Sequence, residues 1–121
     1  MQYAILIYEN PEDLQIRREG GDALEAVNAA YVAYTQALVE ADVLRGGEEL
    51  ALPDAATTLV AKKGARPVVQ DGPFADVKEQ LGGFYLIEVD TLDDAIAWAA
   101  RCPAANRCKV EIRPVEVPPS A

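Results

Sequence analysis

The sequence contains no histidine, and its 121 residues include only two cysteines, one tryptophan, one methionine and two phenylalanines. Without imidazole, the side chain that ordinarily titrates nearest neutral pH is missing. Acid–base work at that pH would pass to a carboxylate raised by burial, a lysine lowered by it, or a phenol held near a cation. Cys102 and Cys108 stand six positions apart with Pro103 between them, which fits neither a zinc knuckle nor a CxxC redox pair. Only a hard, oxygen-ligated ion is left open as a metal, and no cofactor is expected. The two thiols are read as reduced, since a disulfide from a helix end to the next strand would need an oxidising compartment.

Basic residues are also scarce. Lys plus Arg number 11 against 20 for Asp plus Glu, a formal charge of −9 with both signs interspersed. That argues against a nucleic-acid partner, and the one local basic cluster, Lys62-Lys63 with Arg66, reads as a solvated hairpin tip. No apolar stretch approaches membrane-spanning length. Met1-Gln2-Tyr3 enters a strand without the basic and apolar regions of a signal peptide, so a cytoplasmic protein with no membrane partner is expected. The pairs Gly20-Gly21, Gly46-Gly47 and Gly82-Gly83 lack the strand-to-helix context of a phosphate loop. There is no Gly-x-Ser-x-Gly elbow.

What is present reads as one domain. Residues 3–8 and 84–89 are apolar at both parities, which predicts central strands covered on both faces. Glu9-Asn10-Pro11-Glu12-Asp13 ends the first of them, and Gln15 to Gly21 is expected to wander or to make a brief helical turn. Asp22 and Glu25 open a long helix in a capping-box-like pattern. Its stripe of Leu24, Val27, Tyr31, Tyr34, Leu38 and Ala41 packs inward, making Tyr31 and Tyr34 core aromatics rather than catalytic phenols. Asp42 takes the place of a helix-ending glycine. Residues 43–50, broken by Gly46-Gly47, read as a bulged edge strand. Residues 57–62 and 65–70 pair through a two-residue Lys63-Gly64 turn. Thr91 and Asp94 cap a short alanine-rich helix that Cys102-Pro103 stops, and 109–113 alternate as an edge strand should.

The resulting fold class is α+β, a ferredoxin-like βαββαβ order with an inserted β-hairpin and the first and third core strands in the middle. Helices can dry only one face of such a sheet, so a second copy of the chain, a homodimer, is expected on the other.

The hairpin leads into Asp71-Gly72-Pro73-Phe74-Ala75-Asp76-Val77-Lys78-Glu79-Gln80-Leu81-Gly82-Gly83-Phe84. Pro73 should push Gly72 into an extended conformation, turning the Asp71 carboxylate toward the amides of Phe74 and Ala75. Gly72 and Pro73 read as the start of a short helical turn that Gly82-Gly83 ends, with Phe74, Val77 and Leu81 on one face. This run resembles the signature of the YCII-related, or DGPF-domain, family: an aspartate-glycine-proline-phenylalanine loop, a lysine-glutamate-glutamine-leucine segment and a Gly-Gly-aromatic strand. The similarity extends from Met1 to about Val115, with Asp76 and Val77 departing from the expected glutamate and threonine. The resemblance implies a single domain over residues 1–115 with 116–121 as a Pro-rich tail, and subunits paired into a dimeric α+β barrel. It also implies a sigma factor as a partner, because genes of this family often neighbour those of extracytoplasmic-function sigma factors. The histidine–aspartate pair of related proteins cannot be carried over to a chain without histidine.

The catalytic candidates are therefore Asp71, Lys78 and Glu79 on the signature loop. Asp71 has the plainer role of a loop cap, and Lys78-Glu79 that of a solvated ion pair. Tyr8 and Glu9, at the end of the first central strand, are placed at the mouth of the dimer cleft. Phe74 and Arg45 join Tyr8 as ligand-binding candidates, the arginine, like Arg113, as a partner for an anion. The expected function is a homodimer that binds a small molecule in a cleft beside the Asp71 loop. The alternatives are an isomerase- or lyase-type enzyme moving a proton without histidine, as the isomerase and dehydrochlorinase relatives of the superfold imply, an accessory of a sigma factor, or a structural dimer with a filled barrel.

Overall fold

The computed structural model describes residues 1–74 and 77–119. Ala75 and Asp76, on the signature loop, and the last two residues of the expected tail lie outside the described residues. Six strands are described: β1 (Gln2–Glu9), β2 (Leu44–Glu49), β3 (Thr57–Val60), β4 (Val68–Asp71), β5 (Gln80–Glu88) and β6 (Lys109–Pro114). The helices are α1 (Pro11–Glu19), α2 (Gly21–Glu40), α3 (Leu92–Ala100) and α4 (Pro103–Arg107).

Four strands form an antiparallel sheet in the order β2-β5-β1-β6, while β3 and β4 pair only with each other. The strands apolar at both parities are thus the central ones, and the ferredoxin-like plan with an inserted hairpin holds. Odd-numbered residues of β1 face the helices. Tyr3, Ile5 and Ile7 are buried there with Ile87, against Tyr34 and Leu38 of α2, Ala95 and Ala99 of α3, and Cys102 and Ala104. Cys102 and Cys108 are free thiols. Ala4, Leu6, Phe84 and Leu86 point to the opposite face, pairing across the strands as Ala4 with Leu86 and Leu6 with Phe84, and they remain partly exposed.

The local chemistry explains most boundaries. Thr91 accepts a hydrogen bond from the Asp94 amide at 3.1 Å and starts α3, as a threonine N-cap should. Asp42 takes φ 58° at the end of α2, the left-handed conformation that aspartate tolerates better than most residues. The β2 register shifts between Leu44 and Gly46, giving the expected edge bulge.

Four expectations are corrected. Residues 11–19 form a full helix, because Asn10 and Asp13 make a reciprocal capping box (Asp13 amide to Asn10 Oδ1, 2.8 Å; Asn10 amide to Asp13 Oδ2, 3.2 Å) with Pro11 in the first turn. The Asp22–Glu25 box does not form, since α2 starts at Gly21 with Gly20 as a cap that offers no side-chain bond. The arm's register is one residue off that of a two-residue turn, pairing Val60 with Val68, because Pro67 lacks the N–H a ladder position needs. Gly72 has φ 97° rather than an extended conformation, no helical turn is described at 72–74 or 77–79, and Gly82-Gly83 lie inside β5. A further short helix, α4, follows the break at Cys102-Pro103.

Candidate functional site

A cleft of about 990 Å³ is bounded by α1 and α2 on one side and by β1, β5 and β2 on the other. Its sheet floor includes Gly46, Gly47, Gly82 and Gly83. At three of them glycine permits a close approach rather than leaving a gap: a Cβ would come within 2.8 Å of the Phe84 carbonyl oxygen at Gly47, within 2.7 Å of the Glu48 carbonyl oxygen at Gly83, and onto the Glu9 carboxylate at Gly82. Leu24, Val27 and Tyr31 of α2 form its roof with Leu44 and Tyr85 opposite, so part of the stripe expected to be core is the wall of a cavity.

The polar end lies where β1 meets α1. Glu9 accepts a 2.7 Å hydrogen bond from Arg17 Nη1, and the two side chains are only 16% and 14% exposed. Arg17 Nη2 also donates to the Leu50 carbonyl at 2.6 Å and lies 3.2 Å from Glu49 Oε1. Burial raises the Glu9 carboxyl above its ordinary range, outweighing the pull of the Arg17 guanidinium. The seat for this carboxylate is cut into β5 at Gly82, where a Cβ would come within 2.6 Å of Glu9 Cδ. Next to it, Asp13 is held by Arg107 of α4 at 2.7 Å.

The phenols of the cleft are donors rather than bases. Burial drives Tyr31 far above its ordinary range, with the Cys102 thiol, which shares a hydrogen bond with it, and Glu9 adding to the rise. Burial likewise raises Tyr85, whose hydroxyl lies 2.7 Å from Thr35 Oγ1. Tyr34 is a core aromatic as expected, edge-on to Tyr85 at 5.3 Å and donating to the Trp98 carbonyl at 2.8 Å.

The residues singled out in the sequence do not come together. Of the six candidates, Tyr8 and Arg45 border the cleft, whereas Asp71, Phe74, Lys78 and Glu79 do not. The Tyr8 hydroxyl donates to Glu111 on β6 at 3.1 Å, and strand alternation turns this side chain to the helix-free face. Arg45 Nη1 is occupied by the Asp42 and Leu44 carbonyls. Asp71 is exposed at the end of β4, and its carboxylate bonds neither the Phe74 amide nor any other described residue; the expected Ala75 donor is outside the described residues. The loop is held instead by backbone, the Gly72 amide donating to the Ala56 carbonyl at 2.7 Å and Thr58 Oγ1 to the Gly72 carbonyl at 2.8 Å. Phe74 is 87% exposed. Glu79 pairs not with Lys78 but with Lys109 of β6 at 2.8 Å, which lowers its carboxyl below the ordinary range. Arg17 went unnoticed in the sequence. Its signal was the Asn10-Pro11 helix start, which puts Asp13, Ile16 and Arg17 on one helical face.

A family model of the YCII-related domain matches residues 1–117. The chain belongs to the YCII-related family. A family relative in Rhizobium meliloti (strain 1021), itself uncharacterised, is 36% identical over 95% of this chain and 92% of its own. Among solved structures the chain is similar to the 5-chloro-2-hydroxyhydroquinone dehydrochlorinase of Burkholderia phenoliruptrix AC1100, determined in complex with 2,5-dihydroxybenzoquinone. The TM-score is 0.52 at 19% identity, covering 96% of this chain and 94% of that one. At that identity the likeness establishes the shared fold.

Proposed function

We propose that this YCII-related protein binds a small molecule in the helix–sheet cleft and works as a homodimer. The cleft carries the reading. About 990 Å³ lies at the upper end of the range for small-molecule sites, and its apolar wall with a few polar groups at one end is their usual make-up. The bound ring compound of the dehydrochlorinase supports a ligand of similar size, since the two chains share a fold. The site assigned to the ligand is thus the interior of one subunit rather than the neighbourhood of Asp71.

The homodimer is supported by the helix-free face of the sheet, where Ala4, Leu6, Phe84 and Leu86 form an apolar centre that no described helix covers. Against such a face a second sheet is the simplest cover. Phe84→Glu is expected to yield a monomer by light scattering.

The test of the cleft is to fill it. Calorimetric titration of small hydroxylated aromatics against the wild type and Val27→Trp should show binding only to the wild type, with the variant's helical circular dichroism unchanged. Equal binding to both proteins would contradict the assignment.

A further inference from the structure

The Glu9 carboxylate is over-provided for a structural ion pair. Its Oε1 is bonded to Arg17, whereas its Oε2 makes no hydrogen bond to any described residue. It is not sealed from solvent, since the one enclosed side-chain oxygen without a hydrogen bond among the described residues is that of Glu88, which pairs with the N-terminal ammonium. A purely structural glutamate could lie on the protein surface. This one is drawn into the cleft, over a strand hollowed at Gly82 to receive it.

The groups around it set the ligand's charge. From α1 come Asp13 and Arg17, from α2 the protonated Tyr31 and from β2 Glu49, with Arg107 of α4 on Asp13; Arg45 and Glu48 of β2 and the protonated Tyr85 of β5 line the same cleft. Arg17 is already shared among Glu9, Glu49 and the Leu50 carbonyl, Arg107 is bonded to Asp13, and Arg45 is bonded to the Asp42 and Leu44 carbonyls, so each arginine of the cleft is occupied within the chain. An anionic ligand in the cleft would meet four carboxylates, those of Glu9, Asp13, Glu48 and Glu49, against three arginines that are each already engaged. A neutral hydroxyl donor meets an acceptor with an open lone pair.

We propose that Glu9 Oε2 is the anchor of the cleft, accepting the hydroxyl hydrogen of a neutral hydroxylated ring, a phenol or an enol, whose apolar body lies against Leu24, Val27 and Tyr31. This rests on the reading of the cleft as a ligand site and gives it a chemical class. Burial raises the Glu9 carboxyl above its ordinary range, a perturbation that carboxylates at ligand sites share with buried ion pairs.

Resorcinol and 1,3-dimethoxybenzene, which has the same ring without donors, separate the contributions. Each is titrated calorimetrically into the full chain as wild type, Glu9→Gln and Gly82→Ala, from pH 5 to 8. The glutamine keeps the shape and removes the charge; the alanine methyl pushes the carboxylate off its seat and keeps the charge. The expected result is about a tenfold loss of resorcinol affinity in both variants with dimethoxybenzene unaffected. Wild-type resorcinol affinity should also weaken as pH falls through the raised Glu9 range, a dependence absent in Glu9→Gln. If both compounds bind all three proteins alike at every pH, the Glu9 assignment is overturned and the cleft stands. If resorcinol fails to bind the wild type, the assignment also falls, and binding of other rings that Val27→Trp abolishes decides whether the cleft survives.

Discussion

Charge sinks into the protein on the α1 side and apolar side chains surface on the arm. Glu9 and Arg17 are 16% and 14% exposed, while Val68, Val69 and Phe74 are 56%, 58% and 87% exposed. The contrast inverts the ordinary distribution twice over. A carboxylate is desolvated only where other groups hold it, and here Arg17, the Gly82 hollow and the α1 cap hold it. A two-stranded ribbon with apolar residues in water has nothing of the sort and is marginal by itself. The groups that hold the first region all belong to this chain, and the second leaves its apolar side chains exposed.

The comparison can be broken in several ways, beginning with the body. Leu38→Ala, at a fully buried position, should lower stability by roughly 3 kcal/mol, read as a falling denaturant midpoint. Arg17→Ala leaves Glu9 without its partner; because the cleft admits water, the loss should be about 2 kcal/mol, below that of a sealed pair. On the arm, Val69→Ser should cost less than ~0.5 kcal/mol in dilute protein. A loss that grows with protein concentration would show the arm covered by a second copy of the chain. Asp71→Asn should leave the unfolding midpoint within ~0.5 kcal/mol of wild type, since the carboxylate bonds no described residue.

The smallest effect concerns Glu79, whose carboxyl is lowered first by the hydrogen bond from Lys109 and then by its charge. A lowered carboxyl stabilises the fold above the ordinary carboxylate range and loses that contribution as pH falls through its folded value. Glu79→Gln should therefore melt slightly below wild type at pH 7 and level with it at pH 3.

The sheet was legible because strand burial writes itself into parity: residues 3–8 and 84–89 announce two covered faces, and residues 109–113 announce one. The Thr91 cap, the Asp42 turn and the Gly46 bulge are local chemistry and were equally legible. The α1 helix was missed because its nine residues carry little apolar periodicity, and its start lies in the Asn10-Asp13 capping box rather than in a stripe. Of the cleft, Tyr8 and Glu9 were legible as the end of the first central strand, and the rest was not, for a different reason. The aspartate-glycine-proline-phenylalanine run is contiguous and draws the eye, yet it lies outside the cleft. Glu9, Arg17, Tyr31, Glu49 and Gly82 come from five elements, and only the fold brings them together.

The most direct measurement is amide chemical-shift mapping of the isotopically labelled chain during a resorcinol titration. The account predicts saturable shifts at Glu9, Arg17, Val27, Tyr31 and Gly82 with residues 57–74 unmoved. Shifts confined to Asp71, Gly72 and Phe74, with the cleft silent, would contradict it.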